Sequence, residues 1–350
     1  MPQRGRPRKA RLAAQPEVSG KPTLKTIADL AGLAVTTVSR ALHDDPDIAE
    51  KTRLRVKSLA SEIGYLPDRA ALRLRTGRTY VVSLVLDPHD EILGFGISLI
   101  RGLTRAFRAT PYHLIITPHF QGEPPLDPVS HLVRNRMADG IIFTHTEPFD
   151  ERIRLLAEQD VPFVSHGRTE FTFPHPFVDF DNGSFALEAV RRLIARGSGR
   201  IAMIAPSRQF TFCQHMRHGF MTAVRETGVA FEIPDGIDLD SPAEQIRAYA
   251  FERAGGNEPV DGFVCGGEVS GLAVMAGLTD AGRTVGRDVH LVVKQTSPVF
   301  SQVRPQVDVI VEDLEEAGER MGELLLGVIT DSARRDAHFL QPPRLSYVDG

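Results

Sequence analysis

At 350 residues the chain exceeds one typical domain, and 42% hydrophobic with 25% charged residues is ordinary globular usage, which excludes wholesale disorder. Its apolar runs are strand-sized, far below the roughly 20 residues of a membrane span, the Arg-rich start lacks the apolar stretch of a secretory signal, and two isolated cysteines, Cys213 and Cys265, make neither a disulfide framework nor a zinc cluster. The net charge of −4 hides an asymmetry: residues 1–80 carry 16 Lys/Arg against 8 Asp/Glu, which leaves 25 against 37 for the remainder. A soluble cytoplasmic protein is expected, with either a polyanion-binding head or a basic solvated tail in front of an acidic body.

In chain order, residues 1–22 are Arg-, Pro- and Gly-rich and are expected to be disordered. Within them Arg4-Gly5-Arg6-Pro7-Arg8-Lys9 is similar to an AT-hook, whose slim Gly-Arg-Pro core suits an A/T minor groove; a generic phosphate-seeking tail is the alternative. From 23 the period is helical. Thr23 is the expected N-cap of a first helix with Leu24, Ile27, Ala28 and Ala31 on its apolar face, and Gly32 ends it. A second helix over 35–42 turns Val38, Ala41 and Leu42 inward. A third, over 49–63, is expected to bury Leu54, Val56, Leu59, Ala60 and Ile63 in part. Two short helices around a Gly-containing turn, then a supporting helix, form a helix-turn-helix pattern. Residues 68–75, too few for a stable isolated helix, are expected to act as a hinge.

After Tyr80 the texture changes to alternating strands and helices. Strands are predicted over 81–86, 112–117, 140–144, 162–165, 200–205, 262–265 and 289–293, and helices over 92–109, 127–137, 150–159, 183–195, 215–227, 242–254 and 270–281. Such alternation means parallel α/β sheets, here two successive halves with a ligand cleft at the carboxyl ends of their strands. The expected organisation is a tail over 1–22, a helix-turn-helix domain over 23–67, a hinge over 68–78 and a two-lobed domain over 79–350.

The run Thr23-Leu24-Lys25-Thr26-Ile27-Ala28-Asp29-Leu30-Ala31-Gly32-Leu33-Ala34-Val35-Thr36-Thr37-Val38-Ser39-Arg40-Ala41-Leu42 closely resembles the DNA-binding head of the lactose-repressor family. The likeness continues through Lys51-Thr52-Arg53, Gly64-Tyr65-Leu66-Pro67 and residues 69–78, and more loosely through Asp181-Asn182, Arg196-Gly197, Gly219-Phe220, Asp280-Ala281-Gly282 and Asp288-Val289. The run from Leu24 to Leu42, with His166-Gly167-Arg168 and Gln214-His215-Met216, is also similar to the α-glucoside-operon repressors. The resemblance implies a repressor whose periplasmic-binding-protein-like body binds a small effector, usually a sugar, with a nucleoside, purine or other non-sugar metabolite as the alternative.

A recognition helix presents its first turn to base edges in the major groove. Val35 and Thr36 would offer methyl groups to thymine, Thr36 and Thr37 hydroxyls, and Arg40 a bidentate pair to guanine O6 and N7; a phosphate contact is the alternative for Arg40. Thr23, Ser39, His43 and Thr52 suit phosphates. By resemblance, Leu74 wedges into the minor groove, Ala71 permits close approach, and the hinge orders when two chains lie side by side on a near-palindromic double-stranded operator. Residues 331–350 hold Pro342-Pro343 and no leucine heptad, so a homodimer is expected. Two departures stand out: Ala34 replaces a capping Ser, and Asp68 replaces Asn.

Candidate effector contacts at strand ends are Asp87, His89, Asp90, Phe95, Thr144, His145, His166, Arg168 and Asp181 in the first lobe, with His215, Met216, Gly267, Glu268 and Gln295 in the second. Met216 stands where the family has an effector-gripping Arg, and Val293-Lys294-Gln295 where it often has Gly-Phe-Asp; His215, Arg217, Lys294 or Gln295 would substitute. Rival classes fare badly. There is no nucleophile elbow, no phosphate loop and no His-Glu-x-x-His, and His215 with His218 lacks a third metal ligand. Asp179 and Asp181 alternate on an extended segment and are expected to share a side, yet nothing supplies the rest of an acid–base mechanism. No catalytic residue, metal or cofactor is expected.

Overall fold

A computed structural model of the chain describes residues 22–65, 73, 76–86, 94–120 and 122–348. It divides into two units, Met1–Thr79 and Tyr80–Gly350. The architecture is α/β, with helices as the elements of the first unit among the described residues and mainly parallel sheets in the second.

The first unit holds helices α1 (Leu24–Ala31), α2 (Val35–Leu42) and α3 (Glu50–Glu62). Thr23 caps α1 reciprocally with Thr26: its hydroxyl accepts from Thr26 N at 3.3 Å, and the Thr26 hydroxyl accepts from Thr23 N at 3.1 Å. Gly32, at φ +68°, closes the helix in the left-handed region that a side chain would strain. Ile27, Ala28, Ala31, Val38, Ala41, Val56 and Ala60 form the core, with Leu24, Leu42, Leu59 and Ile63 packed on it. Leu54 departs from expectation and is 62% exposed. At about 100° per residue it lies roughly 200° around α3 from Val56, so Val56 and Leu54 cannot both face inward.

The second unit consists of two six-stranded sheets, each flanked by helices. The first lobe orders its strands β11-β5-β4-β3-β1-β2, where β1 is Val81–Leu86, β2 His113–Pro118, β3 Gly140–Phe143, β4 Phe163–His166, β5 Phe177–Phe180 and β11 His338–Gln341. Every pairing in it is parallel. The second orders β12-β10-β9-β8-β6-β7, with β6 Arg200–Ile204, β7 Ala230–Glu232, β8 Gly262–Cys265, β9 His290–Gln295, β10 Asp308–Val311 and the antiparallel edge β12 Arg344–Ser346. The predicted strands reappear with ends shifted by a few residues. The predicted elements do not include β5, the edge strand β7, β10 or anything after it. The C-terminal residues 338–346 are not a free tail but add one strand to each sheet.

The lobes are therefore not two contiguous halves. The chain crosses between them after β5, after β10 and after β11. Helix α11 (Leu314–Thr330), which follows β10, returns to pack on α4 (Phe95–Phe107) of the first lobe. That contact is backbone-close: a Cβ on Gly102 would lie 2.0 Å from Glu315 O, and one on Gly318 2.3 Å from Leu99 O. In the second lobe α7 (Asn182–Ala195) and α8 (Thr211–Thr227) meet equally closely at Gly183 and Gly219. The three crossings are stitched together. Asp181 N donates to Gln341 O at 2.9 Å, Asp313 N donates to Gln341 Oε1 at 2.9 Å, and Arg344 pairs with Asp313 at 2.7 Å.

Candidate functional site

In the first unit, α2 buries Val38 and Ala41 and turns Val35, Thr36 and Arg40 to the surface, with Thr37 and Ser39 half-buried. Val35 is 43% exposed, a β-branched apolar residue at the start of a helix whose core face lies elsewhere. Ala34 makes no side-chain cap, so the first backbone N–H groups of α2 stay available to an outside acceptor. His43 Nδ1 lies 2.7 Å from Ser39 O, which ties that ring back onto the helix end. Arg40 is held by Asp45 and Asp47, both at 2.7 Å, partners that reading the sequence did not identify. Ala71 and Leu74, like Asp68 and the Arg4–Lys9 motif, lie outside the described residues.

In the second unit a cavity of about 40 Å³ lies where strand ends of both lobes meet. Phe95, His145, His166, Gly167, Asp179, Asn182, Phe212, Lys294 and Glu312 line it. His145 borders a second cavity, of about 250 Å³, whose wall includes Thr144, Arg152, Gln209, Phe210 and Asp240. His145 holds a left-handed backbone at φ +57°, a strained position for a non-glycine residue. Its carbonyl accepts from Arg152 Nη2 at 2.9 Å, and Arg152 is itself pinned in the interior by Asp150 at 2.7 Å. The lobes touch beside it: Thr211 N donates to Thr146 O at 2.9 Å, and the His145 ring sits 5.3 Å from Phe210 and 6.3 Å from Phe212. Gly167 is required here, because a Cβ would fall 2.3 Å from Thr146 Oγ1.

The cavity floor is a buried charge network. Lys294 Nζ lies 2.7 Å from Glu312 Oε2, donates to Asn182 Oδ1 at 3.2 Å, and stands 5.1 and 5.7 Å from the Phe180 and Phe212 ring centres. Arg168 Nε is 3.0 Å from Asp179 Oδ2, yet its N–H is directed to His215 Nδ1 at 3.3 Å. That leaves Asp179 Oδ2 buried without a hydrogen bond, and His166 Nε2 is in the same position, 3.5 Å from Glu312. Burial pushes the Asp179 carboxyl up to about 7, against the nearby Arg168 charge. It pushes the imidazoles of His166 and His215 down. Two cations thus face two carboxylates, with two orphaned polar atoms and two phenyl rings on the wall.

Of the expected effector contacts, Phe95, His145 and His166 line this cavity, Arg168 and His215 pair at its edge, and Thr144 lines the larger one. Asp87, His89 and Asp90 lie outside the described residues. Three candidates are corrected. Met216 is completely buried among the core side chains of α8, where its sulfur approaches Gly266. Glu268 is buried and accepts from Thr296 N at 3.2 Å, from Ser297 N at 2.8 Å and from both hydroxyls, so its oxygens are occupied in holding the loop after β9. Asp181 is spent on a cap: β5 ends at Phe180, and Asp181 caps α7, accepting from Ser184 N at 2.9 Å and Ser184 Oγ at 2.7 Å, although its charge still reaches His215. Gln295 ends β9 half-buried and is not part of either cavity wall among the described residues. Sequence reading missed Glu312, Phe210 and Phe212. The one available signal for Glu312 was an acidic residue directly after an apolar strand and before an Asp-capped helix.

Residues 23–68 match the family of bacterial regulatory proteins described as the lacI family, and residues 190–347 match a periplasmic binding protein-like domain. The HTH-type transcriptional regulator AglR of Rhizobium meliloti is 30% identical over 317 residues, covering 87% of both chains. RafR of Escherichia coli is 29% identical over 316 residues, covering 89% of this chain and 93% of that one. Among solved structures, the transcriptional regulator CelR in complex with cellobiose superposes with a TM-score of 0.66 at 25% identity, covering 93% and 98% of the two chains. The Lac repressor dimer bound to operator superposes with a TM-score of 0.79 over the same shares at 18% identity, a likeness of fold.

Proposed function

The chain belongs to the lacI family of bacterial regulatory proteins, and from that premise we propose that it is a sequence-specific DNA-binding transcriptional repressor of a carbohydrate-utilisation operon, switched by an uncharged sugar bound between the lobes of its body. It binds a near-palindromic operator as a homodimer in the cytoplasm and leaves its ligand chemically unchanged. In the head, Val35, Thr36, Thr37 and Arg40 read base edges, while Thr23, Ser39, His43 and Thr52 contact phosphates; Ala71 and Leu74 of the hinge engage the minor groove.

One observation carries the effector reading. Asp179 Oδ2 and His166 Nε2 are buried without a hydrogen bond, each beside an opposite charge only, and their residues line the same cavity as Phe95 and Phe212. Orphaned polar atoms are costly in a folded interior, and hydroxyl groups of a ligand would satisfy both. The cations beside them are already matched by Asp179 and Glu312, so an anionic ligand would meet no free positive charge. Aromatic rings beside polar acceptors suit a sugar, whose ring would need the adjoining cavity of about 250 Å³ past His145, the 40 Å³ beside Asp179 admitting only its hydroxyl edge.

The test is a thermal-shift titration with maltose and cellobiose, followed by operator affinity with and without the ligand that stabilises. The coupling is expected at about 1–3 kcal/mol and reciprocal. His166→Ala should remove the ligand response and leave ligand-free operator affinity near wild type. Stabilisation by purines and not by sugars, or operator affinity indifferent to a tightly bound sugar, would sink the proposal.

A further inference from the structure

Arg40 is the sole cation of α2, and its guanidinium is engaged within the head. Nε donates to Asp45 Oδ2 at 2.7 Å, while Nη2 donates to Asp45 Oδ1 at 3.3 Å and to Asp47 Oδ2 at 2.7 Å. Asp45 is itself fixed: its Oδ1 accepts from Asp47 N at 3.0 Å, and its carbonyl accepts from Arg53 Nη1 at 3.1 Å. The side chain of Asp47 is 78% exposed, with Arg40 its one ion-pair partner among the described residues. A guanidinium is planar, with Nε and Nη2 along one edge and Nη1 and Nη2 along the other. Asp45 spans the first edge as a carboxylate fits an arginine. Asp47 draws on Nη2 and so encroaches on the second, the edge left to read guanine.

We propose that these two carboxylates divide the control of Arg40: Asp45 is a positioning residue that orients the guanidinium, and Asp47 is a gate that lowers DNA affinity in general while sparing affinity for guanine at the read position. The inference rests on the base contact of Arg40 proposed above. Exposed ion pairs are weak, so DNA can displace Asp47. The cost of doing so depends on what replaces it. A phosphate brings a full negative charge beside Asp47 and is repelled. Guanine O6 and N7 offer two acceptors on an uncharged base and are repelled far less. Discrimination therefore comes from a repulsive element set against the wrong partner.

The experiment uses the full chain, fluorescence anisotropy, an operator selected from random duplexes by the wild-type protein, and an unselected duplex, over a range of salt. Asp47→Asn should raise affinity for the unselected duplex about five-fold and for the operator less than about two-fold, lowering the specificity ratio. The salt slope on the unselected duplex should steepen by about 0.9, one more phosphate engaged. Asp45→Asn should instead lower operator affinity about five- to ten-fold while leaving the unselected duplex unaffected. In the Arg40→Ala chain Asp47→Asn should raise affinity for neither duplex and Asp45→Asn should lower neither, whereas a long-range charge effect or a folding defect would persist there. Equal gains on both duplexes for Asp47→Asn, or gains that persist in the Arg40→Ala chain, overturn the gate. If Arg40→Ala alone leaves operator preference intact, the base contact itself fails and the gate with it.

Discussion

Replacing Glu312 by Gln removes the negative partner of Lys294 while keeping the side-chain shape. Lys294 and Glu312 side chains are 6% and 4% exposed and 2.7 Å apart, so the substitution strands a buried ammonium. Breaking a buried pair on one side typically costs about 3–5 kcal/mol. This site has a partial remedy. The Asp179 carboxyl is held up near 7 in part by the Glu312 charge, and losing that charge lets Asp179 ionise more readily beside Lys294. The expected loss is therefore at the lower end, about 3 kcal/mol, or a melting point lower by roughly 6–12 °C for a body of this size. Adding Asp179→Asn removes the remedy and should take the loss to about 5 kcal/mol, whereas adding Lys294→Met removes the stranded charge and should restore stability to within about 2 kcal/mol of wild type. Urea denaturation followed by far-ultraviolet circular dichroism at neutral pH measures all four chains. A loss under about 1 kcal/mol for Glu312→Gln, or a Lys294→Met double variant no more stable than the single one, would refute the network as described.

Three further outcomes follow from the same body. Because the folded Asp179 pKa is raised to about 7, the folded state holds a proton that the unfolded chain releases from about pH 4 upward, so its contribution to stability is present below that range and lost as pH rises to about 7; His166 and His215, pushed down by burial, act in the opposite sense, stability rising with pH through about 6.5. A sugar hydroxyl donating to the Asp179 carboxylate should bind up to about ten-fold more weakly per pH unit below 7, and calorimetry giving the same pH profile for wild type and Asp179→Asn would exclude that contact. Gly102→Ala should cost about 1–3 kcal/mol or more, since its methyl group would meet Glu315 O at 2.0 Å; an unchanged thermal melt would mean that α4 and α11 do not pack backbone to backbone.

The sequence by itself determined what depends on near neighbours. The Thr23 cap, the Gly32 stop, the inward set Ile27, Ala28, Val38, Ala41 and Val56, and the strand–helix alternation after Tyr80 are written in spacings of one to four residues, and those spacings act locally. So is the exposure of Val35 and Arg40, once Val38 and Ala41 define the inner face of α2. What only the tertiary structure decided are pairings between different elements and turns, near in sequence or far: Lys294 with Glu312 and Asn182, Arg168 with Asp179 and His215, and Arg40 with Asp45 and Asp47 around a turn. Strand-end position made Asp181, Met216 and Glu268 candidates. The first is spent on a helix cap, the second on the core and the third on a loop, because each backbone donor and each apolar surface near them had to be satisfied before any ligand could be. Glu312 was illegible for the converse reason. Its role comes from the second crossing between lobes, and a crossing exists only once α11 has folded back onto α4 across more than two hundred residues of intervening chain.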